Sequence, residues 1–270
     1  PPSDADSLAY HFFLPKHFNT TGKLEFVPRA VDGAVPMLIQ MSYLPALGLG
    51  GELGLTLWAA ISGLCVVAMV YVFGRIYLPN TWAIVAAILF ATTPAFVYGA
   101  GSGQVEVRMA ALILVAAFSL QKSLALGSVR YALICGICVG FVMASKYTGL
   151  IFALSCGLVM IFQRHWFRQG AIFTIVALIF GCQWYVWNFA HTGDPIFPMM
   201  YEVISSHVNY RFWDSEQAKI FFMNYLETEK PFSVTLLGFL SYPYVATFLD
   251  WSALESSRTG LGPLPFLVLP

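Results

Sequence analysis

Charge is what this 270-residue chain most lacks. Charged side chains make up 10% of it and hydrophobic ones 58%, with a mean hydropathy of +0.71. A soluble globular chain carries about 25% charged and roughly 45–50% apolar residues. So few charges cannot cover a water-facing surface of this size, which excludes a soluble domain. Fourteen basic and fourteen acidic residues cancel, so there is no basic field to recruit nucleic acid, and none is expected as a partner. The apolar excess excludes disorder as well. Cysteine is sparse: Cys65, Cys135, Cys138, Cys156 and Cys182 all lie in apolar runs, where a thiol behaves as a small hydrophobe. Cys135-Gly136-Ile137-Cys138 spells C-x-x-C, but no βαβ context or second ligand pair accompanies it, and packing is the expectation. An internal repeat, a low-complexity tract and a nucleotide-binding loop are also missing. Gly99, Gly101 and Gly103 form a glycine-rich turn with no strand before it. What remains is an integral membrane protein, with the lipid bilayer as its first partner. A start at Pro1-Pro2 without initiator Met or leader, and an end inside an apolar run, are expected of an internal piece of a longer protein.

A membrane-spanning helix needs about 20 apolar residues. Segments 53–73, 82–100, 108–126 and 170–187 each supply one. Segment 131–162 is too long for one ordinary crossing and carries a single charge, Lys146. Read as one tilted helix, it would strand an ammonium at mid-membrane, at a cost of at least about 2.5–3.5 kcal/mol. Two short helices on either side of Ser145-Lys146-Tyr147 avoid that cost, so a hairpin is expected. The fold class is therefore all-α, a polytopic transmembrane helix bundle with outer loops and interfacial helices.

Arg75, Lys122, Arg130, Arg164 and Arg168 fall in one set of short loops, against Arg108 and Lys146 in the other. The positive-inside rule places the first set in the cytoplasm. The outer side then receives 1–51, an extracytoplasmic loop with a D-x-D and a juxtamembrane segment. Transmembrane helices fill 52–187, an extracytoplasmic segment with interfacial helices spans 188–262, and 263–270 starts a further helix. Nearly every polar residue able to do chemistry falls on the outer face.

Asp4-Ala5-Asp6 is the D-x-D. At a helix start two such carboxylates can converge, one as a general base and the other as a metal ligand or orienting partner. Helix capping explains an Asp there equally well. Glu106, where a helix enters the membrane, is favoured by the helix dipole whether or not it has a role, and Arg108 is its nearest pairing partner in sequence. Lys146 must either snorkel or bind an anion, such as a lipid phosphate at the outer interface. Trp184, Tyr185 and Trp187 suit an interfacial aromatic belt, and Thr192-Gly193-Asp194-Pro195 a turn. Asn188 and His191 can bind substrate or cap the helix end. Tyr201, His207, Tyr210, Arg211, Trp213 and Trp251 suit interfacial helices, sugar stacking or a lipid headgroup.

Three motifs in order resemble one family. Asp6-Ser7-Leu8-Ala9-Tyr10-His11 with Pro15-Lys16 is similar to the first outer loop of bacterial GT-C superfamily glycosyltransferases, relatives of the protein O-mannosyltransferases and the lipid A aminoarabinose transferase. Gly140 with Ser145-Lys146-Tyr147-Thr148-Gly149 resembles their membrane hairpin. Trp184, Asn188 and Thr192-Gly193-Asp194-Pro195-Ile196-Phe197-Pro198 resemble their exit from a span. The chain departs from the pattern at Glu106 (Asp is usual), at Trp187 (Arg) and at Asp194 (Asn). The resemblance implies a transferase on the extracytoplasmic side of a bacterial inner membrane. It would move a sugar from a polyprenyl-phosphate-linked donor to a lipid, glycan or protein acceptor, usually with inversion. Asp6 becomes the base, with Asp4 or Glu106 assisting, and Lys146 neutralises the donor phosphate. Tyr10, His11, Lys16, Asn188 and His191 become substrate-binding candidates. A divalent cation, Mg or Mn, would fall to Asp4 and Asp6. A non-catalytic accessory subunit that retains the fold is the competing reading. A transporter fits less well, because its charges would sit within several broken helices at mid-bilayer.

Overall fold

The structure, a computed structural model, describes residues 5–27, 33–162, 166–205, 213–227 and 235–248. A π-helical turn, Ser7–His11, leads into α1 (Phe13–Thr21). The short α2 (Leu38–Met41) precedes the long α3 (Tyr43–Tyr77), and then come α4 (Asn80–Ala91), α5 (Pro94–Gly101) and α6 (Glu106–Leu126). The remainder is α7 (Val129–Met143), α8 (Thr148–Ile161), α9 (Trp166–Gly181), α10 (Gln183–Thr192), α11 (Ser215–Glu227) and α12 (Leu236–Phe248). Among the described residues there is no sheet. Arg164, His207, Tyr210, Arg211, Trp251 and segment 263–270 lie outside them.

Among the described residues two helices, α3 and α6, are long and apolar enough to cross a membrane alone, and the count rises to four if each bent pair is one span. The bends are differences from the uniform spans expected. Between α4 and α5 the axis turns by 66° at Thr92-Thr93, where Pro94 supplies no N–H to continue the helix. A turn of 51° separates α9 from α10 at Cys182. The first crossing helix also starts earlier than its apolar run, at Tyr43, because Gly51 (φ 59°) kinks it and lets a less apolar turn precede the span.

The apolar run 131–162 does divide into two helices, α7 and α8, joined at Ser145-Lys146-Tyr147. At the centre of the bundle, α7 is packed between α6 and α9. A Cβ on Gly136 or Gly140 would stand 2.8 Å from the carbonyl oxygen of Phe173 or Ala177. These two glycines, one helical turn apart, let α7 and α9 approach backbone to backbone, as small residues do in membrane interfaces. Cys135 and Cys138 are buried in the same core with Val139, Cys156, Met160 and Phe173, which is the packing role expected of them.

Polar side chains gather at the two ends of the bundle. At one end Arg75 and Tyr71 both donate to Asn80 Oδ1 (2.5 and 2.9 Å), Tyr77 donates to Gln121, and Ser123 donates to Gln169 at the start of α9 (3.1 Å). The other end collects the loop before α6, the α7–α8 tip, the end of α10 and the π-helical turn. The hairpin makes this sorting possible, since it returns the chain to its starting end before α9.

Candidate active site

The π-helical turn is seated on the loop between α5 and α6. Ser7, fully buried, accepts a hydrogen bond from the Gly103 backbone N–H through its hydroxyl oxygen at 2.8 Å. The Gly103 carbonyl accepts the Tyr43 hydroxyl at 3.0 Å. A Cβ at Gly103 would meet Phe12 and Ser7 at 2.9 Å, so only glycine lets the two segments touch here. Asp6, at an exposed position one residue before Ser7, is linked through that contact to the loop that leads to Glu106. Asp6 stands at the N-cap of the turn, and its side chain makes no cap hydrogen bond there. Asp4 lies outside the described residues.

Glu106 opens α6, and its carboxylate is in direct contact with the Lys146 ammonium from the α7–α8 tip. Arg108, its expected partner, is not used. Both side chains of the Glu106–Lys146 pair remain about half exposed (49% and 41%), so a ligand can reach the ammonium. Such a pair adds little stability by itself, about 0–1 kcal/mol, because water screens it. His11 lies close enough to act electrostatically on Glu106. Its ring is buried, contacts Gln40 Nε2 through Nδ1 at 3.0 Å and packs against Tyr10 at 4.0 Å between centroids. With the Gln40 amide as donor, the His11 proton belongs on Nε2.

The other candidates spread outward. Lys16 pairs with Glu52 at 2.5 Å on an exposed face, at the rim of a cavity of about 520 Å³. That cavity starts at Ser7 and Leu8 and is otherwise largely apolar, with Phe12, Leu47, Leu53 and Leu55 in its wall. His191 is exposed, bonded to the Trp187 carbonyl and stacked on Phe26 at 4.8 Å. Asn188 is buried, and its amide donates to the Ala34 carbonyl (2.6 Å) and the Tyr147 hydroxyl (2.8 Å). Tyr147 in turn donates to the carbonyls of Ala34 and Phe197, at 3.0 and 2.8 Å. This knot fixes the residue beside Lys146. Trp184, expected in an interfacial belt, is instead in a core with Leu14, Phe18, Met37 and Ala144, and so anchors α1 to the end of the bundle.

Asp194, the residue that departs from T-G-N-P, is buried with Oδ1 accepting from Ile196 N–H (2.8 Å) and Oδ2 from Met200 N–H (3.0 Å). Burial pushes its carboxyl above the ordinary range, and the two backbone donors offset part of that.

Among the described residues no three His, Cys, Asp or Glu come together to hold a metal ion. Glu106, the nearest well-placed oxygen donor, is committed to an ammonium. Of the two residues that would take a divalent cation, Asp4 lies outside the described residues and Asp6 lies within them.

Sequence reasoning missed two residues here. Gln40 carries no motif. Arg108 was visible as a charge at a membrane entry, but its role as a donor to carbonyls, described below, depends on a loop shape that no spacing encodes.

A sequence model of the dolichyl-phosphate-mannose-protein mannosyltransferase family matches residues 37–187, more than half of the chain. No curated protein and no solved structure matches it. The match takes in Gln40, Glu106, Arg108, Lys146 and the start of α10, and the D-x-D and His11 precede it. Apolar helices, the closely packed bundle and this match make the chain an integral membrane protein, and it belongs to the dolichyl-phosphate-mannose-protein mannosyltransferase family, a GT-C type family.

Proposed function

We propose that this protein is a membrane glycosyltransferase that moves a sugar from a polyprenyl-phosphate carrier to an acceptor hydroxyl. Its site faces the extracytoplasmic side of a bacterial inner membrane. The observation that carries this reading is the half-exposed Lys146–Glu106 pair beside the turn that bears Asp6.

The chemistry follows from charge. A phosphate is a good leaving group, so the transferase needs a base for the acceptor and a cation for the departing phosphate more than it needs an acid. Asp6 takes the proton of the acceptor hydroxyl as that oxygen attacks the anomeric carbon. The bond from the anomeric carbon to the phosphate oxygen breaks on the opposite face, which inverts the configuration. Lys146 neutralises the charge that develops on the phosphate. Glu106 holds and aims the ammonium until the donor arrives, and Asp4 is an alternative assistant. Tyr10, His11, Lys16 and His191 are assigned to substrate contact. Asn188 works one step back, by holding Tyr147 and hence the tip. The cavity at Ser7 offers space for an apolar chain next to the base. No step is routed through a divalent cation.

Lys146→Met keeps length and apolar stem but removes the charge. Losing a hydrogen bond to a charged group is worth about 1.5–3 kcal/mol. The KM for a polyprenyl-phosphate mannose donor is expected to rise roughly 10- to 100-fold in the full-length protein, with insertion unaffected. Unchanged KM and kcat would reduce Lys146 to a snorkelling lysine.

A further inference from the structure

Arg108 makes four hydrogen bonds at this end of the bundle. It sits in the first turn of α6, is 8% exposed, and has no carboxylate within 4.0 Å among the described residues. Its guanidinium is instead surrounded by oxygens of the loop that precedes its own helix. Nη1 donates to the carbonyls of Gly99 (2.8 Å), Ser102 (3.2 Å) and Gln104 (2.6 Å). Nε donates to the Ser62 hydroxyl on α3 at 2.9 Å, and the group lies over the Tyr43 ring, 5.9 Å from its centroid. The Nη2 nitrogen has no hydrogen-bond partner among the described residues.

A buried charge at a membrane boundary is costly unless it is thoroughly satisfied. Capping α6 cannot be the role of Arg108, because that end of a helix presents N–H donors and a guanidinium has no acceptor. The carbonyls that Arg108 gathers belong to 99–104, the segment that must place two things at once. One is Gly103, whose N–H meets Ser7 next to Asp6. The other is Glu106, which holds Lys146. Three carbonyls converging on one nitrogen define the curvature of this loop, and Ser62 and Tyr43 fix the guanidinium to α3. The Tyr43 hydroxyl closes the circuit on the Gly103 carbonyl.

We propose that Arg108 is a positioning residue for sugar transfer. It shapes the loop between α5 and α6 so that the turn bearing Asp6 and the Glu106–Lys146 pair stand in fixed relation. Arg108 touches neither donor nor acceptor. Lysine cannot replace it, since a single ammonium cannot reproduce a planar fork that spans several carbonyls and a hydroxyl on a second helix. The inference rests on the glycosyltransferase reading above for its effect on rate, but not for its effect on the loop.

The test uses the full-length protein in lipid vesicles, with Arg108→Lys and Ser62→Ala, the latter removing one anchor of an intact guanidinium. Release of polyprenyl phosphate from a polyprenyl-phosphate mannose is followed, together with amide hydrogen exchange over 99–106. A displacement of about 1 Å in a catalytic constellation can cost roughly 10²-fold. Arg108→Lys is expected to lower kcat by about that factor with donor KM changed less than about threefold. Exchange should accelerate in 99–106 and not in α7 or α8. If Arg108→Lys keeps kcat within about threefold of the parent, or leaves exchange in 99–106 unchanged, the proposal is overturned. Should Arg108→Lys not fold, Ser62→Ala decides: faster exchange in 99–106 at an unchanged melting midpoint supports it, and an unchanged loop overturns it. If the parent protein releases no polyprenyl phosphate, the glycosyltransferase reading fails, while the exchange data still decide whether Arg108 shapes the loop.

Discussion

Buried beyond the end of α10, the Asp194 carboxylate spends both oxygens on the backbone of the following turn. Its pKa is raised by burial, so the sign of its linkage is definite. A group whose folded pKa exceeds its unfolded value stabilises fully below the unfolded value, about 3.9 for Asp, and loses that contribution as pH rises through the folded value. Asp194→Asn keeps one acceptor and removes the charge. Its melting midpoint relative to the parent should therefore improve as pH is raised from about 4 to 7. A difference that is flat or worsens over that range would mean that the backbone donors outweigh burial. At this scale the sequence shows residue types but not partners. Lys146 stood out because it was the only charge in its run, and the charge did find an acid. That Glu106 and Lys146 meet on one membrane face was legible from the topology, whereas their direct ion pair and the diversion of Arg108 to carbonyls were not. Asn188 looked like a ligand, yet its amide is occupied by Ala34 and Tyr147.

Between helices, the contact that organises the bundle is the approach of α7 to α9 at Gly136 and Gly140. A Cβ at Gly140 would stand 2.8 Å from the Ala177 carbonyl oxygen and from the Phe180 Cβ, so backbone would have to move. Gly140→Val is expected to cost about 1–3 kcal/mol, the range for overpacking, and to lower the melting midpoint in detergent. Gly157 is the control, since its nearest neighbour is Phe173 Cε1 at 3.8 Å and Gly157→Ala should be nearly silent. Equal effects at the two positions would remove close helix approach as the cause. Hydropathy made the helices and the split at Lys146 legible, because a bilayer enforces both length and the exclusion of charge. The bends at Pro94 and Cys182 and the early start of α3 at Tyr43 were less visible. Such breaks depend on neighbouring helices that satisfy the freed backbone groups.

At the scale of the molecule, the sorting of polar groups to opposite ends fits the arginine and lysine asymmetry of the loops. It leads to a labelling prediction in a cysteine-free background. Gly101→Cys should react with an impermeant thiol reagent in intact cells, since the position is exposed and a side chain there meets nothing within 4 Å. Leu126→Cys, at the other end of α6, should be protected. The reverse pattern would invert the protein and place the site in the cytoplasm. Membership of the family was legible from motifs, of which the hairpin at 140–149 lies wholly within the matched stretch 37–187. The acceptor was not, because a hydroxyl can be presented by a lipid, a glycan or a protein. The claim that joins all scales is that Asp6 is the base of a site completed by Glu106 and Lys146. Asp6→Asn keeps the shape of the side chain but cannot take a proton. In the full-length enzyme, with a polyprenyl-phosphate-linked sugar as donor, it should slow transfer by roughly 10²–10⁴-fold at unchanged expression. Transfer at the parental rate would contradict the base assignment and return the protein to the class of non-catalytic subunits that keep the fold.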